Sequence, residues 1–180
     1  MSRELIQAFV SEFGRYRGLA EGAASQLSWE QLRVSLDPQT NSIAVVMKHL
    51  AGNLVSRWTE PLTTDGEKPW RDRDREFIDD FADWAALEET WARGWAVLEK
   101  ALSSFSDADL GRVIKIRGED HTLALALTRS LSHASYHCGQ IVQTARILAS
   151  HAGLPWKTLT VARGGSKEFN KGKGFDPSRG

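Results

Sequence analysis

The stretch that decides the fold is residues 123–152, LALALTRSLSHASYHCGQIVQTARILASHA, which runs without proline up to Gly153 and Pro155. Gly153 and Pro155 are good helix terminators, so the stretch predicts one long helix. His133 and His137 lie four residues apart in it, about 40° around the helix axis, and project from one face a turn apart. The rest of that face is Ala126, Ser130, Gln140, Ile141, Thr144 and Leu148. It is small or apolar, with polar groups beside the imidazoles, and reads as a bundle interior that carries a site.

Three further helical patterns flank it. Residues 2–24 place Leu5, Phe9, Phe13 and Tyr16 at three- and four-residue steps, with Ser2 as a candidate cap. Ile43, Val46, Met47, Leu50 and Leu54 form the stripe of a second long helix, capped by Asn41 or Ser42 and ending before Pro61. Phe81, Trp84, Leu87, Trp91, Trp95 and Leu98 predict a third over Phe77–Leu102, its tryptophans read as core. Ser28 and Gln31 form a capping box for a short turn. Val113–Ile116 is β-prone and Gly118 follows, which predicts a small hairpin before the last helix. Residues 61–76, PLTTDGEKPWRDRDRE, read as a long surface loop. There is no βαβ alternation, so the class is all-α: a four-helix bundle over 1–155, then a Gly/Lys-rich tail over 156–180, expected to be extended or partly disordered. Loop 61–76 and the tail are the places for specificity on a rigid scaffold. Arg57, Trp58, Trp70 and Trp156 are candidates to line an entrance to the site.

The chain has 180 residues, enough to bury a core without staples. Lys+Arg and Asp+Glu both number 23, so no net field draws in nucleic acid. The tail's Arg163, Lys167, Lys171 and Lys173 read as a solvated terminus. No stretch approaches the roughly 20 apolar residues of a membrane span, and the N-terminal segment is charged throughout. The single cysteine, Cys138, permits no internal disulfide. A reducing cytoplasm is the expected compartment, with Cys138 packed and inert.

Two histidines are too few for a tight metal site, and their spacing alone fits structural histidines equally well. His49, mid-helix in SIAVVMKHLAGNL and about 60° from Val46, is the leading third ligand because bundle helices converge side chains on an interior site. His121 in the hairpin and His151 at a helix C-terminus are left out.

NSIAVVMKHLAGNL, followed some way on by SHASYHCGQI, resembles the DinB-like superfamily, which includes YfiT-like metal-dependent hydrolases and thiol-dependent transferases. The resemblance extends over residues 1 to about 152, and the H-x-x-x-H-x-G-Q-I stretch is its most specific part. It implies an up-down-down-up four-helix bundle, often a homodimer, with His49, His133 and His137 holding Zn²⁺, Ni²⁺ or a similar divalent ion. No further catalytic or substrate-binding residue transfers. Three neutral histidines leave an open position on the metal. A low-molecular-weight thiol there gives S-transfer to a small-molecule electrophile, and water there gives hydrolysis. A non-catalytic, stress-related bundle stabilised by its ion is the remaining alternative. Gln140, on the same face, could orient the exogenous ligand or be satisfied by backbone or water.

Overall fold

A computed structural model describes residues 2–175. Four long helices carry it: α1 (Glu4–Ala24), α3 (Ile43–Trp58), α4 (Trp84–Ser104) and α5 (Leu123–His151), with short helices α2 (Trp29–Leu32) and α6 (Ser166–Gly172). Strands β1 (Val113–Ile116) and β2 (Glu119–Thr122) pair antiparallel just before α5, Ile114 opposite His121. The hairpin and the helical class are as the sequence indicates.

Side-chain contacts give the helix directions. Arg3, at the start of α1, donates to the carbonyls of Leu102 and Phe105 at the end of α4, while Arg17 reaches back to Glu99. The two helices therefore run antiparallel. Gln26, beyond the end of α1, bonds both ways with Lys157, beyond the end of α5, so those two run parallel. His49 meets His133, and Trp58, further along α3, donates to Ser130, earlier in α5, so α3 opposes α5. The result is up-down-down-up. Because α3 and α4 are parallel, residues 59–83 must travel the length of the bundle, which explains the long connection.

Local chemistry sets most element ends. Ser42 accepts from the Val45 amide and Thr122 from the Leu125 amide. Ser28 and Gln31 make the reciprocal capping box of α2. The start of α1 differs from expectation. Ser2 is not its main cap; Asp107 accepts from the Ile6 amide at 3.0 Å and from the Ser2 hydroxyl at 2.7 Å. That cap comes from a residue 101 positions further along the chain, out of reach of any local pattern.

The third long helix also begins later than its apolar spacing predicts. Asp83 caps it through the Ala86 amide at 2.9 Å, and residues 78–80 are non-helical where Lys48 meets the Ile78 carbonyl and the Asp80 carboxylate. Asp74–Phe77 forms a 3₁₀ turn packed on α3 instead. Trp91 and Trp95 are buried, as expected of core residues, and Trp84 is half-buried. α3 and α4 approach closely at Gly94, where a Cβ would lie 2.7 Å from the Ala51 α-carbon.

Two expectations about the connections need correction. Loop 61–76 is not simply a surface loop: Lys68 and Glu76 are buried, because the segment is pinned to α3 by the Ser56 hydroxyl, which bonds the Gly66 carbonyl and the Lys68 amide. Asp65 accepts from the amides of Arg117 and Gly118 at 2.8 and 2.7 Å, tying the hairpin turn to the same loop. The tail is likewise not simply extended. Trp156 and Leu159 pack on the core and Ser166–Gly172 is helical; residues 176–180 lie outside the described part.

Candidate metal centre

α3 contributes His49, which is buried, and α5 contributes His133 and His137, both half-buried. The antiparallel crossing of these helices brings the three imidazoles together. The His133 Nε2 atom lies 3.3 Å from the His49 Nε2 and 3.0 Å from the His137 Nε2. One ligand atom from each residue falls within 4.8 Å of the others, so the triad could hold a metal ion. Two nitrogens bound tetrahedrally at about 2.0–2.1 Å from one ion stand about 3.3–3.4 Å apart. The observed spacing is close to that value.

The outer nitrogens decide which way the lone pairs face. His49 Nδ1 lies 2.9 Å from the Glu76 Oε2. Glu76 is gripped on both oxygens by Arg71, at 2.8 and 2.9 Å, and Arg71 also contacts Glu67. Burial pushes the Glu76 carboxyl upward, but the hydrogen bonds from His49 and Arg71 and the Arg71 charge hold it below its usual value. An ionised Glu76 can only accept, so His49 donates from Nδ1 and turns a bare Nε2 inward. His137 Nδ1 similarly faces the Gln140 Oε1 at 2.7 Å, while the Gln140 amide nitrogen donates to Tyr136. His137 therefore also presents a bare Nε2. A single proton on His133 Nε2 can serve only one of these two neighbours. A cation satisfies all three lone pairs together.

Burial keeps His133 and His137 neutral. Burial, then the charges His137 and His49 would carry, lower His133 to about 3. Burial is also the main cause of the lowered value at His137. Neutral imidazole is the metal-binding form. Phe77 stacks on the His49 ring at 4.6 Å, and Gly52 leaves the space that the Glu76 carboxylate occupies, since a Cβ there would overlap it.

Other candidates fall elsewhere. His121 is buried in the hairpin, its ring between the Glu119 carbonyl and Arg129, and His151 is exposed at the end of α5. Cys138 is buried and its thiol is pushed up to about 12 by burial, which is the inert packing expected of it. Gln140 bonds a ligand-candidate imidazole directly. Of the suggested entrance residues, Arg57 lines a cavity beside His133, Trp58 is core, Trp70 is exposed, and Trp156 lines a separate groove near Cys138. Sequence reasoning missed Glu76, Arg71 and Phe77, because a run of alternating charges has the composition of a solvated loop.

A helical bundle of this topology, with three imidazoles converging between its second and last long helices, is a DinB-like protein. The chain belongs to the family described as "Protein of unknown function (DUF1572)", itself a DinB-like family, whose model matches residues 1–165. It is similar in structure to a conserved protein from Enterococcus faecalis, with 20% identity and a TM-score of 0.65, over 83% of this chain and 99% of that one. A DinB-like protein from Bacillus cereus is 16% identical with a TM-score of 0.55, over 86% and 94% of the two chains. At these identities the likeness concerns the fold alone. No curated protein matches the chain. Among the described residues, no helix is long and apolar enough to cross a membrane.

Proposed function

We propose that His49, His133 and His137 hold one divalent ion, zinc or nickel, and that the protein is a metal-dependent thiol S-transferase using a low-molecular-weight thiol. The observation that carries this reading is the convergence of three Nε2 atoms, two of them committed as bare lone pairs by Glu76 and Gln140. When bound, a divalent ion supplies Lewis acidity that lowers the pKa of a thiol in its open position. The chain's own part is to hold that position. Three neutral imidazoles leave the full dipositive charge uncompensated at the donors, which favours an anionic exogenous ligand such as a thiolate over a neutral one. Glu76 and Arg71 fix the His49 ring, Gln140 fixes His137, and burial keeps His133 free of its proton.

The same reading makes the protein a cytoplasmic homodimer acting on a small-molecule electrophile, consistent with the buried lone thiol of Cys138. The test is turnover of an aryl-halide electrophile by zinc- or nickel-loaded protein with bacillithiol, mycothiol or glutathione. Product should require both the ion and one of the thiols and be lost in His133→Ala. Turnover of ester or amide substrates without any thiol would assign metal-dependent hydrolysis instead. A stress-related bundle with a purely structural ion would show neither activity, and its melting temperature would fall when the ion is chelated.

A further inference from the structure

His49, Asn53 and Arg57 recur every four residues and share one face of α3. Opposite them α5 presents His133, Ser130 and Arg129. Beyond His133 the two helices enclose a cavity of about 140 Å³ that Arg57, Asn53, Ser130 and His133 line, with Arg129 exposed at its rim and Ile116 of the hairpin closing it. The Nη1 atom of Arg57 is buried and has no hydrogen-bond partner. Gly66 packs its bare α-carbon over this guanidinium; a Cβ would sit 3.0 Å from Nη1.

The charges around the cavity do not balance. Burial lowers the Arg57 pKa, and Arg71, Arg117 and Arg129 act in the same direction, opposed only by Glu67. Glu67 is itself committed to Arg71 and Arg117. Among the described residues neither Arg57 nor Arg129 has a carboxylate within ion-pair distance, and Arg129 meets only the His121 ring, at 2.8 Å. A guanidinium cannot shed its proton to escape burial. Arg57 is half-buried, but its Nη1 has neither solvent nor a partner; a solvent-free donor left unpaired on a fixed charge is costly to the fold, so its retention beside a cavity points to a ligand.

We infer that this cavity is an oxyanion subsite that takes the carboxylate or phosphate group of a small molecule on Arg57, with Arg129 and the Asn53 amide completing the recognition. A volume of 140 Å³ equals that of about four or five waters, room for the anionic group and its first carbon but not for a whole cofactor. Planar guanidinium suits both anions. The assignment of the bound molecule as substrate of the histidine centre rests on the metal reading, because His133 forms one wall of the cavity. The subsite itself consists only of the chain's own groups.

The test uses the full chain, both ion-loaded and chelator-stripped, with malonate and inorganic phosphate as probes and chloride at matched ionic strength as control. Calorimetric titration and melting temperature are read for wild type, Arg57→Met and Arg129→Met. Saturable binding of one probe, present also in stripped protein and roughly tenfold weaker or lost in Arg57→Met, is expected. Whichever probe binds more tightly identifies carboxylate or phosphate as the source. Without probe, Arg57→Met should melt at or above the wild-type temperature, because it removes a half-buried charge that has no carboxylate partner and an unsatisfied buried donor. Arg129→Met, exposed at the rim, keeps the test intact should Arg57→Met fail to fold, and it should also weaken binding. Folded wild type that binds neither probe in either form, or variants that bind as tightly as wild type, would overturn the inference. Failure of the metal reading would appear differently, as anion binding retained in a protein that takes up no ion.

Discussion

His49 Nδ1 stands 2.9 Å from a Glu76 oxygen whose carboxylate is clamped on both sides by Arg71. This chain of three side chains links a long crossover loop to an imidazole on the second long helix. It sets the tautomer of His49 and thereby the direction of its lone pair. Such an outer carboxylate raises ligand basicity and fixes ring orientation.

Removing that carboxylate should weaken the site without deleting a ligand. Glu76→Ala is expected to lower divalent-ion affinity by about 10–100-fold. It should also destabilise the chain by on the order of 3 kcal/mol, because it leaves Arg71 with only Glu67. Competition against a chromophoric chelator gives the first number and urea unfolding the second; unchanged affinity would remove Glu76 from the account.

Gly52→Ala offers a cleaner probe of the same contact. Alanine favours a helix interior by about 1 kcal/mol over glycine, so an isolated helix would gain. Here the added Cβ overlaps the Glu76 carboxylate and must displace it. Lower ion affinity together with a lower melting temperature is the expected result, opposite in sign to the helix-propensity effect.

Acid should destabilise the ion-free protein through His133. Its folded value of about 3 lies below the unfolded 6.5, so the unfolded chain takes the proton first. The stability carried by neutral His133 is therefore complete above about pH 6.5 and is lost as pH falls towards 3. Melting curves of chelator-stripped wild type from pH 7 to 4 should show this decline, and His133→Phe should flatten it. A wild-type curve that is flat across this range would contradict the depressed value.

The Trp58–Ser130 bond holds α3 to α5 beside the cavity, at 3.0 Å and fully buried. Ser130→Ala leaves the indole N–H without its acceptor and should cost about 1–3 kcal/mol in urea unfolding. Ser130→Thr, which keeps the hydroxyl, should cost less if its extra methyl is accommodated.

What could be read from sequence follows how local its causes are. The helix around His133 and His137, its end at Gly153, the Ser28 capping box and the hairpin near Gly118 rest on spacing within a few residues, and the structure carries each. The pairing of His49 with the last helix was legible only because bundle helices face one another. The start of α4 was not, since Asp83 and the contacts of Lys48 with residues 78–80 override the apolar spacing that begins at Phe77. Glu76, Arg71 and the Asp107 cap were hidden for a stronger reason. Their roles depend on partners brought together only by the fold, and a charged residue destined for burial has the same local signature as a solvated one.

Whether the three histidines hold an ion is decided by elemental analysis of tag-free protein, as wild type and as His133→Ala, after equilibration with zinc or nickel and gel filtration. About one divalent ion per wild-type chain and little or none in the variant are expected, with circular dichroism showing both to be helical. Wild type that retains no ion, or a variant that retains as much, would contradict the three-histidine site.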